Sequence, residues 1–124
     1  MRRELAPWKQ YTDYQTTSWG TKKAITTWTF YCTKGRPRIV VLEHNQRKGK
    51  SKRKVLIDGE IRYERKSNKE TFNFRFSNDV IYLKITKSRD AQYSYSLRIN
   101  DSSFDESKTS FLIARTENYS SKFV

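Results

Sequence analysis

The sequence predicts an all-β fold: an antiparallel β-sandwich of about eight short strands behind an extended N-terminal arm. Three observations support it. From Ala24 onward, apolar residues recur with the period of a strand rather than that of a helix. The alternating runs are short and are separated by polar, turn-forming segments. No stretch combines helical periodicity with capping residues. Alternation gives each strand one face to bury, and two packed antiparallel sheets, or a barrel, bury it.

The elements follow in order. Residues 24–32 place Thr26, Trp28, Phe30 and Cys32 on one face. Arg38–His44 follows, with Val40, Leu42 and His44 on one side and Ile39, Val41 and Glu43 on the other. Lys52–Ile57 reads as the next strand. Asp58-Gly59 then lies between two alternating runs. That is a strong hairpin signal, because a type I′ turn needs positive φ at both central residues. Ile61 and Tyr63 are expected to face one way in the return strand. Thr71–Phe76 alternates Phe72, Phe74 and Phe76 with polar residues, Val80–Thr86 alternates Ile81, Leu83 and Ile85, and Gln92–Ile99 alternates Tyr93, Tyr95, Leu97 and Ile99. Ser110–Ala114 is the last candidate strand.

At 124 residues the chain forms one domain. A chain of this length buries roughly 65% of its unfolded surface, enough for a core without metals or disulfides. Residues 1–23 are polar, basic and aperiodic, with almost no aliphatic side chains, and read as an arm; Pro7 could begin a short helix there. Residues 24–115 read as the sandwich and 116–124 as a tail.

Charge is distributed unevenly. The net charge is +13, and residues 1–54 hold 14 Lys/Arg against 3 Asp/Glu, whereas residues 55–124 hold 12 against 10. A localised positive field attracts nucleic acid, anionic lipid or an acidic protein surface. The single cysteine, Cys32, permits no internal disulfide, and a reducing, intracellular compartment is the simpler expectation. No apolar segment follows Met1 and the longest aliphatic run is Ile39–Leu42, so neither a secretory signal nor a membrane span is expected.

Several motifs arrive in a recognisable order. Trp28 leads to Arg38-Ile39-Val40-Val41-Leu42-Glu43-His44, then to Lys52-Arg53-Lys54-Val55-Leu56-Ile57-Asp58-Gly59, and later to Tyr93-Ser94-Tyr95-Ser96-Leu97-Arg98-Ile99-Asn100. This order resembles the Fas apoptosis inhibitory molecule family over roughly residues 24–100, extending to about 115. The resemblance implies a compact antiparallel sandwich, no catalysis and a role as an adaptor in cell-survival signalling. Asn45 and Asp101 stand where that family commonly has glycine.

The candidate binding residues fall in two groups. Arg47, Lys48, Lys50, Lys52, Arg53 and Lys54 put six charges into eight residues. Turning of the chain at a hairpin brings like charges together, and a counter-charged partner relieves the repulsion. The arm supplies Trp8, Tyr11, Tyr14 and Trp19, which fit no strand alternation and read as interface anchors for an external partner. Trp28, Phe72, Phe74, Phe76, Tyr93 and Tyr95 read as core.

Catalytic candidates are few. Cys32 and His44 lie on adjacent expected strands and could be neighbours, but nothing marks an orienting group or an oxyanion hole. One His and one Cys give no metal-ligand spacing, so no metal and no cofactor is expected. Gly49-Lys50-Ser51 lacks both the upstream glycine and the following helix of a phosphate-binding loop. The leading expectation is a non-enzymatic structural module that docks on an acidic polymer. Tubulin in the microtubule lattice is favoured, including the doublet microtubules of cilia. The alternatives are the survival adaptor and non-specific nucleic-acid binding, for which the sheet aromatics, expected in the core, leave no stacking platform.

Overall fold

The described residues of the computed structural model are 8–32, 37–76 and 78–121, with side chains through residue 114. Two antiparallel meanders face each other. The first sheet holds β1 (Lys9–Thr16), β2 (Lys22–Tyr31), β3 (Pro37–Gln46), β4 (Ser51–Ile57) and β5 (Glu60–Ser67) in chain order. The second holds β6 (Thr71–Phe76), β7 (Asp79–Lys87), β8 (Tyr93–Ile99) and the short β9 (Ser102–Ser103). The helix α1 (Phe104–Ser121) follows.

Strand periodicity builds the core. Register places Trp28 opposite Val40, and Leu42 opposite Val55. From the other sheet come Phe72, Leu83 and Leu97, which form one cross-strand row. All of these are buried, together with Phe30, Ile81, Ile85 and Ile99. Of the aromatics expected in the core, Trp28, Phe72, Phe76 and Tyr95 are buried, while Phe74 and Tyr93 are partly buried against it. The β4–β5 hairpin turns at Asp58 and Gly59, with φ of 53° and 82°. Asn100 and Asp101 turn β8 into β9 the same way, with φ of 50° and 70°, so Asp101 occupies a conformation that glycine adopts more readily.

Four expectations are corrected. Most of the described part of the arm is strand: Lys9–Thr16 pairs with Thr29–Lys22 over eight residues and forms an edge of the first sheet. Tyr and Thr suit a half-exposed edge without any aliphatic run. The short helix considered after Pro7 is absent from residues 8–16, and Pro7 itself lies outside the described residues. Ser110–Ala114 is helical, within α1, which also takes in the tail through Ser121. Its start is a capping box: the Ser103 amide donates to Glu106 Oε1 at 2.8 Å and the Glu106 amide donates to Ser103 Oγ at 3.0 Å. Finally, Ile61 and Tyr63 face opposite ways. The register shifts between Val55, paired with Tyr63, and Leu56, paired with Ile61. Arg62 is the extra residue of this bulge, so Tyr63 packs on Phe72 while Ile61 is half exposed.

Candidate binding surface

The connections at one end of the sandwich carry most of the predicted binding residues. Lys22 pairs with Gln46 in the β2–β3 ladder, which puts the β1–β2 turn beside the β3–β4 loop. Tyr14, Lys22 and Gln46 share a cleft with Ala91, Gln92 and Tyr93, so the β7–β8 turn belongs to the same end. The corner from β5 to β6, residues 68–70, completes it.

The basic run separates into three environments. Arg47, Lys48 and Lys50 lie in the exposed β3–β4 loop and pair with no described carboxylate. Gly49 turns that loop at a φ of 75°, the left-handed region that favours glycine. Lys52 and Lys54 point outward from β4 and share Glu64 of β5, at 3.0 and 3.9 Å. Hydrogen bonding from Lys52 holds the Glu64 carboxyl below its ordinary pKa.

Arg53 does not belong to the exposed surface at all, which corrects its assignment to a docking loop. It is 5% exposed and points into the sandwich beside His44. Its Nε donates to the Lys69 carbonyl at 2.9 Å, and Nη1 donates to the Ser51 carbonyl at 3.0 Å, to Ser51 Oγ at 2.7 Å and to the Ser67 carbonyl. No acceptor is a carboxylate. The guanidinium ties β4 to the corner where the chain crosses between sheets, and burial pulls its pKa below the ordinary value.

His44 continues this buried polar cluster. Tyr95 Oη accepts from Gln46 Nε2 at 2.8 Å and lies 2.8 Å from His44 Nδ1. Burial, foremost, pushes the Tyr95 hydroxyl up to about 12, so it stays protonated. The other ring nitrogen, Nε2, is buried without a hydrogen-bond partner among the described residues. Burial, and then the neighbouring Arg53 charge, lower the His44 pKa to about 4. The ring is therefore neutral across the physiological range.

Cys32 is far from this histidine. Ala24 stands opposite His44, and Cys32 is eight residues further along the same strand direction, roughly 26 Å away. The expected neighbourhood of thiol and imidazole is thereby overturned. Cys32 sits instead near Arg38 and Asp79, where burial, ahead of its charged neighbours, raises the thiol pKa. Such a thiol is a weaker nucleophile than a free cysteine. Among the described residues no group of His, Cys, Asp and Glu is placed to hold a metal ion.

The aromatic residues of the former arm also part company. Trp8 packs against Phe30, Phe104 and Phe111, with centroids 6.1, 5.4 and 5.5 Å away. It belongs to the apolar seal at the far end, which corrects its reading as an external anchor. Tyr11 and Tyr14 are about half exposed on β1. Trp19 is 90% exposed, yet its turn is well ordered by hydrogen bonds. The Thr17 amide donates to the Thr21 carbonyl at 2.7 Å and the two threonine hydroxyls lie 2.6 Å apart. Lys22, Lys66 and Lys69 join the same end, which sequence spacing alone had not gathered. The β2–β3 and β4–β5 registers were the missing signal.

No helix among the described residues is long and apolar enough to cross a membrane. A sequence model for Fas apoptotic inhibitory molecule (FAIM1) matches residues 24–119. The chain belongs to that family. The match covers β2 from Ala24 onward, all of β3 to β9 and nearly all of α1, and leaves β1 and its turn outside it. In this member of the Fas apoptotic inhibitory molecule family, then, Trp19 and the edge strand lie beyond the matched domain. Searches among curated proteins and among solved structures return no match.

Proposed function

We propose that this chain is a non-enzymatic docking module that engages an acidic protein surface through the end of the sandwich bearing Trp19 and the Arg47–Lys50 loop. One observation carries the reading: a tryptophan 90% exposed on an ordered turn stands beside three cations that have no described carboxylate partner. A large aromatic side chain held in water is a typical interface anchor, and flanking charge steers an oppositely charged partner toward it. Arg53 takes no direct part, and Lys52 and Lys54 contribute less because Glu64 offsets them. The tubulin lattice, including that of ciliary doublets, is the acidic surface put to the test.

Co-sedimentation of the full chain with taxol-stabilised microtubules decides it. Trp19→Ala is expected to weaken pelleting by roughly tenfold or more, and joint replacement of Arg47, Lys48 and Lys50 by alanine to remove most of its salt dependence. Pelleting of wild type no better than that of these variants argues against the proposal. The family match favours a second reading, an adaptor in cell-survival signalling. Affinity purification from cells that recovers receptor or ubiquitin-pathway proteins in place of tubulin would support it.

A further inference from the structure

The geometry points to a second copy of this chain as the partner of β1: two β1 strands pair antiparallel across a two-fold axis at Tyr11, joining two five-stranded sheets into one. This inference does not depend on the acidic docking proposed above.

The sheet edges are defended unequally. Natural proteins blunt exposed edges with charges, bulges or very short strands. β5 carries Arg62, Glu64, Arg65 and Lys66 and a bulge. On β6, Arg62 and Lys69 lie over its phenylalanines. β9 has two residues and runs directly into α1. β1 has neither a bulge nor a shortened span, and its two charges, Lys9 and Asp13, are of opposite sign. Its eight residues keep an unbroken register with β2 and include neither proline nor glycine. Its inward face is neutral: Gln10 donates to the Tyr95 carbonyl at 3.2 Å, and the Thr12 hydroxyl meets that of Thr26 at 2.9 Å. No described strand pairs with its free side.

The outward face of this edge is complementary to itself. Lys9, Tyr11 and Asp13 are successive outward residues, opposite Thr29, Thr27 and Ile25 of β2. A two-fold axis at Tyr11 sets each Lys9 across from Asp13 of the other copy, with the two tyrosines between them. Directly opposed unlike charges and aromatic pairs stabilise antiparallel strands, and like charges do the reverse. Centring the axis on Asp13 would oppose two carboxylates, so charge also selects the register. Such a contact is isologous and closes at two copies. It would send the two Trp19 turns to opposite poles, roughly 50 Å apart at strand rise.

Light scattering and sedimentation of the full chain test this. Wild type is expected to show a monomer–dimer equilibrium. Lys9→Asp places aspartates opposite each other, and Asp13→Lys places lysines opposite each other. Each should weaken the dimer by on the order of tenfold or more, while an equimolar mixture of the two variants should dimerise again. The double exchange, Lys9→Asp with Asp13→Lys, should restore the homodimer. Strand-pair circular dichroism and thermal unfolding of each variant monitor folding, so loss of dimer by misfolding is distinguished from loss by repulsion. A wild-type chain that stays monomeric at the highest concentration it tolerates overturns the inference. So does a dimer indifferent to both reversals.

Discussion

The two ends of this sandwich are closed by opposite chemistries. At one end Trp8, Phe30, Phe104 and Phe111 meet ring against ring, beneath a helix fixed by a reciprocal cap. At the other, Arg53, Ser51, His44, Gln46 and Tyr95 form a buried polar cluster around the corner where the chain changes sheets. The apolar seal gains from burial in proportion to area and tolerates imprecise geometry. The polar seal is favourable only while its hydrogen bonds are made, because a buried unpaired group costs nearly its whole desolvation energy. The end that carries the exposed cations is therefore also the end whose interior is most sensitive to the loss of one donor.

The largest effect is expected at Arg53. Replacing it by alanine strips donors from the carbonyls of Ser51, Ser67 and Lys69 at once. A loss of about 3–5 kcal/mol is expected from urea unfolding. Arg53→Lys keeps the charge but not the planar fork, and should recover only part of that loss. Were Arg53 a surface docking residue, either substitution would change stability by less than about 1 kcal/mol.

His44 gives the same end a pH dependence between about pH 4 and 6.5. Its pKa falls from 6.5 to about 4 on folding. Between those values the unfolded chain binds more protons, so stability rises with pH. The contribution of the neutral buried ring is complete above pH 6.5 and is lost as pH falls toward 4. A shift of this size corresponds to about 3 kcal/mol. Unfolding free energies measured between pH 5 and 7 should show the slope, and His44→Gln should flatten it. An unchanged slope in that variant would assign the dependence to other groups.

How much of this was legible in the sequence depended on which rule each residue obeyed. Val55 and Ile57 mark the inward face of β4, and the same alternation carries Arg53 and Ser51 inward with them. The pattern was present, but six clustered charges outweighed it, because a charge is ordinarily assigned to the surface. The Asp58-Gly59 turn was read directly, since two consecutive positive φ values have a narrow sequence signature. The bulge at Arg62 had no such signature, and it alone sent Ile61 outward. β1 escaped because an edge strand buries little and needs no aliphatic run. The exposure of Trp19 and the placement of Trp8 were indistinguishable in sequence. Only the return of β1 along β2 separates them, carrying one to the open turn and the other to the helix.

The helix cap is the sharpest case, because its signal was written in four residues, Ser103-Phe104-Asp105-Glu106. Ser at the cap and Glu three residues on satisfy two amides that the first turn leaves without intrahelical partners. Hydrogen bonding from Ser103 also holds the Glu106 carboxyl below its ordinary pKa. The helix carries apolar residues that α1 leaves half exposed, Leu112 and Ile113, so its apolar face alone does not account for its placement. Phe104 is the anchor, buried at the first helical position against Trp8 and Phe30. The cap aims that anchor. Ser103→Ala should therefore cost about 1 kcal/mol in global stability, the smallest of the three effects, and should loosen the first turn of α1 more than the sheets. Amide exchange measured residue by residue separates the two: accelerated exchange confined to the start of α1 fits a cap that orients Phe104, whereas uniform acceleration across both sheets would mean that the apolar end depends on the helix as heavily as the polar end depends on Arg53.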